Sequence, residues 1–350
     1  MKVLFIGGTG TISMAITRRL AAQGHDLYLL NRGSRREDGL EGVTYLAADI
    51  NQEEEKAARL LEGHTFDAAA DFIAFTPAQL ERDYRLLRGR VKQFIFISSA
   101  SAYQKPLSDY RINEGTPLSN PYWEYSRNKI AGEDFLMKKY REEGFPVTIV
   151  RPSHTYDERS VPMGVHGDRG SWQVIRRMME GKKVIIHGDG TSLWTMTHNS
   201  DFAKGFAGLV GNIHAIGEAV QITSDETLTW NQIYHTIADA LGVELRPCYV
   251  PSDFLDGCGR YDFRGGLIGD KANSVVFDNS KLKRLVPDFV ATKRFDTGVR
   301  ETIANILAHP ELQKEDPEFD AWCDRVVEAM ERAEREVRES FSDISQAAAF

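Results

Sequence analysis

The sequence predicts an α/β protein: a doubly wound parallel sheet with helices on both faces, followed by a smaller C-terminal lobe. Three observations predict it. Short apolar runs alternate with helical patterns over the first 150 residues, a glycine-rich turn directly follows the first run, and this rhythm changes after about residue 155.

The runs "KVLFIGG" (2–8), "DLYLLN" (26–31), "VTYLAADI" (43–50), "FDAAADFIAF" (66–75), "QFIFISS" (93–99) and "VTIVRP" (147–152) read as strands. Each is continuously apolar rather than alternating, as expected of strands covered on both faces. Helical patterns fill 11–24, 52–62, 77–89 and 123–143, with Gly24 and Gly63 placed to end the first two. Beyond the charged loop "ERSVPMGVHGDRG" (158–170) the elements become shorter and mixed. Helices are expected at 171–181, 201–211 and 229–242, and strands at 183–190 and near 219–223. The division is therefore 1–155 for the sheet domain, 156–310 for a substrate-binding lobe interleaved with it, and 311–350 for a charged helical tail. In that tail Phe319, Trp322, Val326, Val327 and Met330 form one apolar stripe, read as packing against the body or a partner subunit.

Composition narrows the function classes. The chain has 350 residues and a formal charge of −8, which works against general nucleic-acid binding, since phosphate contacts need surplus Lys and Arg. No run of 18 or more apolar residues exists to span a membrane. The N-terminus runs straight into a short, Gly-rich strand, unlike a signal peptide. Cys248, Cys258 and Cys323 form no CxxC pair, which argues against a disulfide framework or zinc site and for a reducing cytoplasm; no metal is expected.

The turn "GGTGTIS" (7–13) leaves the first strand and opens the first helix. Gly7 and Gly10 let the turn close and let backbone approach a pyrophosphate, with Thr11 and Ile12 at the helix N-terminus that stabilises its charge. Ser13 stands at the third glycine position of this dinucleotide-binding pattern. At the end of the second strand, where NAD-binding proteins carry a carboxylate for the ribose hydroxyls, stands Asn31, followed by Arg32, Arg35 and Arg36. Arginines without a carboxylate favour a 2′-phosphate, so NAD(P) is the expected cofactor with NADP favoured; a solvated basic loop is the alternative. Asp49 and Ile50, after the third strand, are placed to meet the adenine.

The fifth strand ends in "ISSASAY" (97–103), at the edge where ligands of such sheets bind. About 25 residues later, "PYWEYSRNK" (121–129) sets Tyr125 and Lys129 one helical turn apart; of twelve tyrosines, only Tyr125 has a lysine four positions on. A cation about 5 Å from a phenol, at an effective dielectric near 20, contributes roughly 3 kcal/mol. That is about 2.4 pK units from a reference near 10, so the phenol approaches the neutral range.

This order of glycine turn, serine and Tyr-x-x-x-Lys resembles the short-chain dehydrogenase/reductase superfamily. The resemblance is to its extended branch of NAD-dependent sugar epimerases and dehydratases, over residues 1 to about 300. "RPSHTY" (151–156) and "GDGTSLWTMTHNSD" (188–201) look like later landmarks, and "SSASAY", "LVGN" and "ITSDETLTW" are especially similar to the atypical group that includes chloroplast stem-loop RNA-binding proteins. It implies a Rossmann-type fold, hydride transfer at a secondary alcohol, Tyr125 as acid/base, Ser99 bonding the substrate oxygen, and Lys129 holding both the phenolate and the nicotinamide ribose. It also implies a homodimer through the 77–89 and 123–143 helices.

Departures from the branch redirect the substrate. Dehydratases carry Asp–Glu where this chain has Ala100 and Ser101, which disfavours dehydration. An Arg that grips the diphosphate of nucleotide sugars is replaced by Trp194, and the Asn of the "RPxN" landmark by His154. Two lost phosphate contacts at about 1.5–3 kcal/mol each argue against UDP- or dTDP-sugars. Ser101, His154, Trp194, His198 and His166 are instead read as lining a pocket for an uncharged sugar or cyclitol, with the indole stacking on a ring face; core packing or a satisfied structural imidazole is the alternative. The expected function is an oxidoreductase or epimerase on a sugar-like substrate. The alternative is an RNA-binding or scaffold protein retaining the fold, against which the acidic charge and the intact Ser99–Tyr125–Lys129 set both speak.

Overall fold

The computed structural model describes residues 1–35, 37 and 39–341. Arg36 and the tail beyond residue 341 lie outside the described residues. The chain divides into two compact units, each drawn from three stretches of sequence.

The first unit comprises Met1–Asp157, Leu193–Thr227 and Asn273–Gly298. Its centre is a seven-stranded sheet in which β1 (Lys2–Ile6), β2 (Asp26–Asn31), β3 (Val43–Ala47), β4 (Ala68–Asp71) and β5 (Phe94–Ile97) are joined by Val147–Pro152 and Ala219–Ile222. The order is Ala219–Ile222, Val147–Pro152, β5, β4, β1, β2, β3, with every ladder parallel. This is the Rossmann-type doubly wound sheet, and strand order reverses between β1 and β4, where such sheets bind ligands at their carboxyl edge.

Helices α1 (Ser13–Ala22), α2 (Glu54–Leu60), α3 (Pro77–Leu87) and α4 (Glu124–Glu143) start and stop within two residues of the sequence-based ranges. Gly24 and Gly63 adopt φ of +76° and +73° just past their helices, the left-handed geometry that ends a helix. One sheet face buries Val3, Phe5, Leu27 and Leu29 with Phe202 and Phe206; the other buries Leu4, Ile6, Phe94 and Phe96 with Leu80, Leu87 and Leu136. Two covered faces are why the strands read as unbroken apolar runs. Helices α3 and α4 pack closely because residue 132 is glycine: a Cβ there would meet Leu80 Cδ1 at 2.6 Å.

The second unit comprises Glu158–Ser192, Leu228–Ala272 and the chain from Val299. Val184–His187 pairs in parallel with Pro247–Val250, and the buried Trp230 and Tyr234 belong to the helix Trp230–Leu241. The tail helix Pro317–Ser340 buries Phe319, Cys323, Val326 and Val327. It is tied to Arg177, whose guanidinium bonds Asp320 and Asp324 at 2.7 Å each. Trp322 completes an aromatic group with Phe319, Tyr261 and Phe263. Among the described residues, no helix is long and apolar enough to cross a membrane.

Candidate active site

A cleft of about 590 Å³ opens at the carboxyl edge of the first unit's sheet. Gly7, Gly10, Thr11, Ile12, Asn31, Arg32, Asp49, Ile50, Tyr125 and Lys129 all line it, together with Gly8, Ser13, Arg35 and Phe75.

The glycine turn is held from behind. The carbonyls of Gly7, Gly8 and Thr11 accept hydrogen bonds from Asn31 Nδ2 (3.3 Å), Thr17 Oγ1 (2.8 Å) and Asn199 Nδ2 (3.1 Å). Thr17 and Asn199 were not singled out from the sequence; a polar residue on the Ile16–Leu20 face of α1 is the signal that marks Thr17. Gly8 has φ +86°, and a Cβ there would meet Leu29 Cδ2 at 2.8 Å, so no larger residue fits the turn. Helix α1 begins without a side-chain cap and without an acid in its first turn. Carbonyls tied down behind an uncapped helix N-terminus suit an anion in front, so the residues fit a dinucleotide pyrophosphate.

Asn31 lines the cleft but its amide is engaged with the turn: Oδ1 accepts the Gly33 N–H at 2.9 Å while Nδ2 reaches Gly7. Asp49 accepts the Asn51 N–H at 3.0 Å, shaping the loop beside Ile50.

Lys129 is 2% exposed. Its Nζ donates to the carbonyls of Ala74 and Ile97, both at 2.7 Å, and lies 5.6 Å from the centroid of the Tyr125 ring. Burial lowers its pKa to about 8, opposed by the charges of Asp71 and Glu133. Tyr125 is half-buried, its ring 4.9 Å from that of Trp123 and 6.2 Å from that of Phe75.

Ser98, rather than Ser99, lines this cleft, and its hydroxyl bonds the buried Glu133 carboxylate. The half-buried Ser99 begins a chain of hydroxyls: its Oγ lies 2.9 Å from Ser101 Oγ, to which Ser126 Oγ donates at 2.7 Å. Ser99 Oγ also accepts the Ser101 N–H at 3.1 Å.

The residues expected to line a substrate pocket are placed differently. Ser101 is 3% exposed, with its hydroxyl enclosed between Ser99 and Ser126. Trp194 is also 3% exposed and its indole N–H meets His154 Nδ1 at 3.3 Å, so burial takes away the ring face expected to stack on a sugar. His198 caps a helix, its Nδ1 accepting the Ser200 N–H at 3.2 Å. His154 is half-buried beside Trp194, and His166 belongs to the second unit. The ladder pairing Met196–His198 with His154–Tyr156 draws these rings into packing within the first unit.

A glycine turn and a Tyr–Lys pair meet on one cleft at the switch point of a parallel sheet, the place where α/β sheets of this kind bind ligands. The NAD dependent epimerase/dehydratase family model matches residues 3–222, and the chain belongs to that family. The chain is similar to the 2'-dehydrokanamycin reductase of Streptomyces kanamyceticus, 25% identical over 299 residues, 83% of this chain and 80% of that protein. It is 23% identical over 254 residues to the chloroplast stem-loop binding protein of 41 kDa b of Arabidopsis thaliana, covering 69% and 63%. Among solved structures, the fold is shared with dTDP-glucose 4,6-dehydratase from Bacillus anthracis in complex with NAD (TM-score 0.70, 17% identity, 89% of this chain and 98% of that one). It is likewise shared with UDP-glucose 4-epimerase from Bifidobacterium longum in complex with NAD+ and UDP (TM-score 0.69, 18% identity, 89% and 99%).

Proposed function

We propose that this protein is an NAD(P)-dependent oxidoreductase or epimerase that acts on a secondary alcohol, or the matching ketone, of a sugar-like ring lacking a nucleotide diphosphate. The observation that carries the reading is the meeting of Tyr125 and Lys129 on the cleft that the glycine turn also lines.

When bound, the nicotinamide cofactor accepts or supplies the hydride. The chain's residues handle its phosphates and the proton. The turn at Gly7–Ile12 binds the pyrophosphate, Asp49 and Ile50 flank the adenine, and Arg32 with Arg35 favours a 2′-phosphate where no carboxylate follows β2. Lys129 sets a positive charge beside the Tyr125 ring, which favours the phenolate; Tyr125 then takes the proton from the substrate hydroxyl on oxidation and returns it on reduction. Ser99 Oγ accepts the Ser101 N–H and shares a proton with the Ser101 hydroxyl. With the Ser101 proton directed to Ser99, the Ser99 O–H donates to the substrate oxygen.

The buried Trp194, at the position where nucleotide-sugar relatives place a phosphate-gripping arginine, favours a substrate without phosphates. The likeness to a reductase of 2'-dehydrokanamycin supports the same choice. Pairing of two chains through α3 and α4 is part of the proposal, and sedimentation at several concentrations tests it.

The main test titrates the purified protein with NADPH and NADH by fluorescence, then screens ketone and alcohol forms of aminoglycosides and simple sugars, with UDP-glucose for comparison, for hydride exchange. Activity confined to phosphate-free rings and lost in Tyr125→Phe is expected. Activity that survives Tyr125→Phe removes that residue from the chemistry, and absent cofactor binding with tight binding of structured RNA at physiological salt replaces the reading altogether.

A further inference from the structure

Beneath Lys129 lies a buried group of charges that the chemistry above does not use. Asp71 ends β4 and is fully buried, as is Asp83 on α3, with Arg82 5% exposed beside them. Asp71 Oδ1 accepts the N–H groups of Ile73 (2.5 Å) and Ala74 (2.7 Å), and the Ala74 carbonyl in turn accepts Lys129 Nζ at 2.7 Å. One carboxylate therefore fixes the turn that presents an oxygen to the ammonium.

The second oxygens, Asp71 Oδ2 and Asp83 Oδ2, are both buried without a hydrogen-bond partner, and the Arg82 guanidinium stands 3.9 Å from Asp71 Oδ2. Two carboxyls so placed satisfy one another by sharing a proton, because two adjacent buried charges cannot both persist. Asp83 holds that proton: burial first, then the Asp71 charge and its hydrogen bond, raises its pKa well above the carboxylate range. Arg82 bonds Asp83 Oδ1 through Nε (2.9 Å), while its Nη1 reaches Asn51 Oδ1 (2.6 Å) and the Ile50 carbonyl (3.3 Å) on the cleft wall.

We propose that Asp71 is a positioning residue for Lys129: it pins the Ala74 carbonyl that anchors the ammonium and supplies the negative charge that keeps the ammonium protonated in a dry site. Every charge bearing on Lys129 has an assigned place. Asp71 comes from β4, and Arg82 with the protonated Asp83 from α3. Glu133 on α4 is neutralised by Arg151, whose Nε lies 2.9 Å away, and Tyr125 is on the same helix. The inference rests on the functional reading only for what Lys129 is used for; where its proton sits is a property of the chain.

The test is a pH titration of the Lys129 side-chain resonance by NMR in the full chain with selectively labelled lysine, the signal assigned through Lys129→Arg. The wild-type midpoint is expected near 8. Asp71→Asn keeps an oxygen for the two N–H groups but removes the charge; its midpoint should fall by about one pH unit, a tenfold loss of proton affinity. Asp83→Asn leaves Asp71 ionised and should leave the midpoint in place. An unmoved midpoint in Asp71→Asn, or an equal fall in Asp83→Asn, overturns the proposal. Should Asp71→Asn not fold, the carboxyl carbon signals of the wild type decide: Asp71 ionised and Asp83 protonated at pH 7 supports it, and the reverse overturns it. A midpoint that moves in a protein unable to bind NADPH or NADH sinks the functional reading alone; cofactor binding with an unmoved midpoint sinks only this inference.

Discussion

Ser126 Oγ donates to Ser101 Oγ at 2.7 Å, from a helix to the turn that ends the fifth strand. When Ser101 passes its own proton on to Ser99 at 2.9 Å, Ser99 becomes a donor toward anything outside. Ser101→Ala frees the Ser99 hydroxyl to turn. Turnover of the sugar ketone should fall about fivefold with little change in KM, the loss of one hydrogen bond of about 1 kcal/mol. Ser99→Ala should fall further, on the order of 100-fold. Equal losses in both variants would place the hydroxyl of Ser101, not Ser99, on the substrate.

Lys129 gives a pH dependence whose sign is fixed. Its pKa falls on folding from 10.5 to about 8, chiefly through burial. Between those values the unfolded chain binds a proton that the folded chain does not, so stability from this group rises as pH climbs from 8 to 10.5 and is lost below 8. Lys129→Met removes the effect. Urea denaturation should show the substitution more destabilising at pH 10.5 than at pH 7, by about 3 kcal/mol. A difference near zero would mean that the ammonium is hydrated.

Arg32→Ala should weaken NADPH binding about tenfold or more and NADH binding little, because a charge-assisted bond to phosphate is worth about 1.5–3 kcal/mol. Fluorescence titration of both cofactors measures it. Parallel losses would show that Arg32 meets a phosphate common to the two.

Trp194 should behave as core. Trp194→Ala is expected to destabilise by about 3–5 kcal/mol, and Trp194→Phe by about 1 kcal/mol through loss of its hydrogen bond to His154. Chemical denaturation checks both. A phenylalanine variant of normal stability but greatly raised KM would return the ring to the substrate.

The fold was legible because its strands are covered on both faces and its helices end where glycines adopt positive φ. That these residues share one cleft was legible because the pattern is local: the turn follows β1, Asn31 and Arg32 follow β2, and Asp49 with Ile50 follows β3. What was not legible depends on contacts distant in sequence. Trp194 and His154 were read as pocket residues because aromatic rings beside lost arginines suggest a sugar, and only the structure around the ladder between 154–156 and 196–198 shows Trp194 buried against a half-buried His154. Asp71 had a signal that went unread, a lone acid closing the apolar "AAADF". Asp83 had another, sitting on the Leu80–Tyr84–Leu87 face of α3 where solvent-facing charge does not belong.

The strand Ala219–Ile222 hydrogen-bonds to Val147–Pro152, so a sheet begun at residue 2 is completed more than two hundred residues later. A fragment cut at residue 157 would leave Val147–Pro152 as a bare apolar border able to recruit another molecule's backbone. The dinucleotide half of this chain should accordingly resist excision by simple truncation, and a soluble version of it would need the 193–227 return grafted back on.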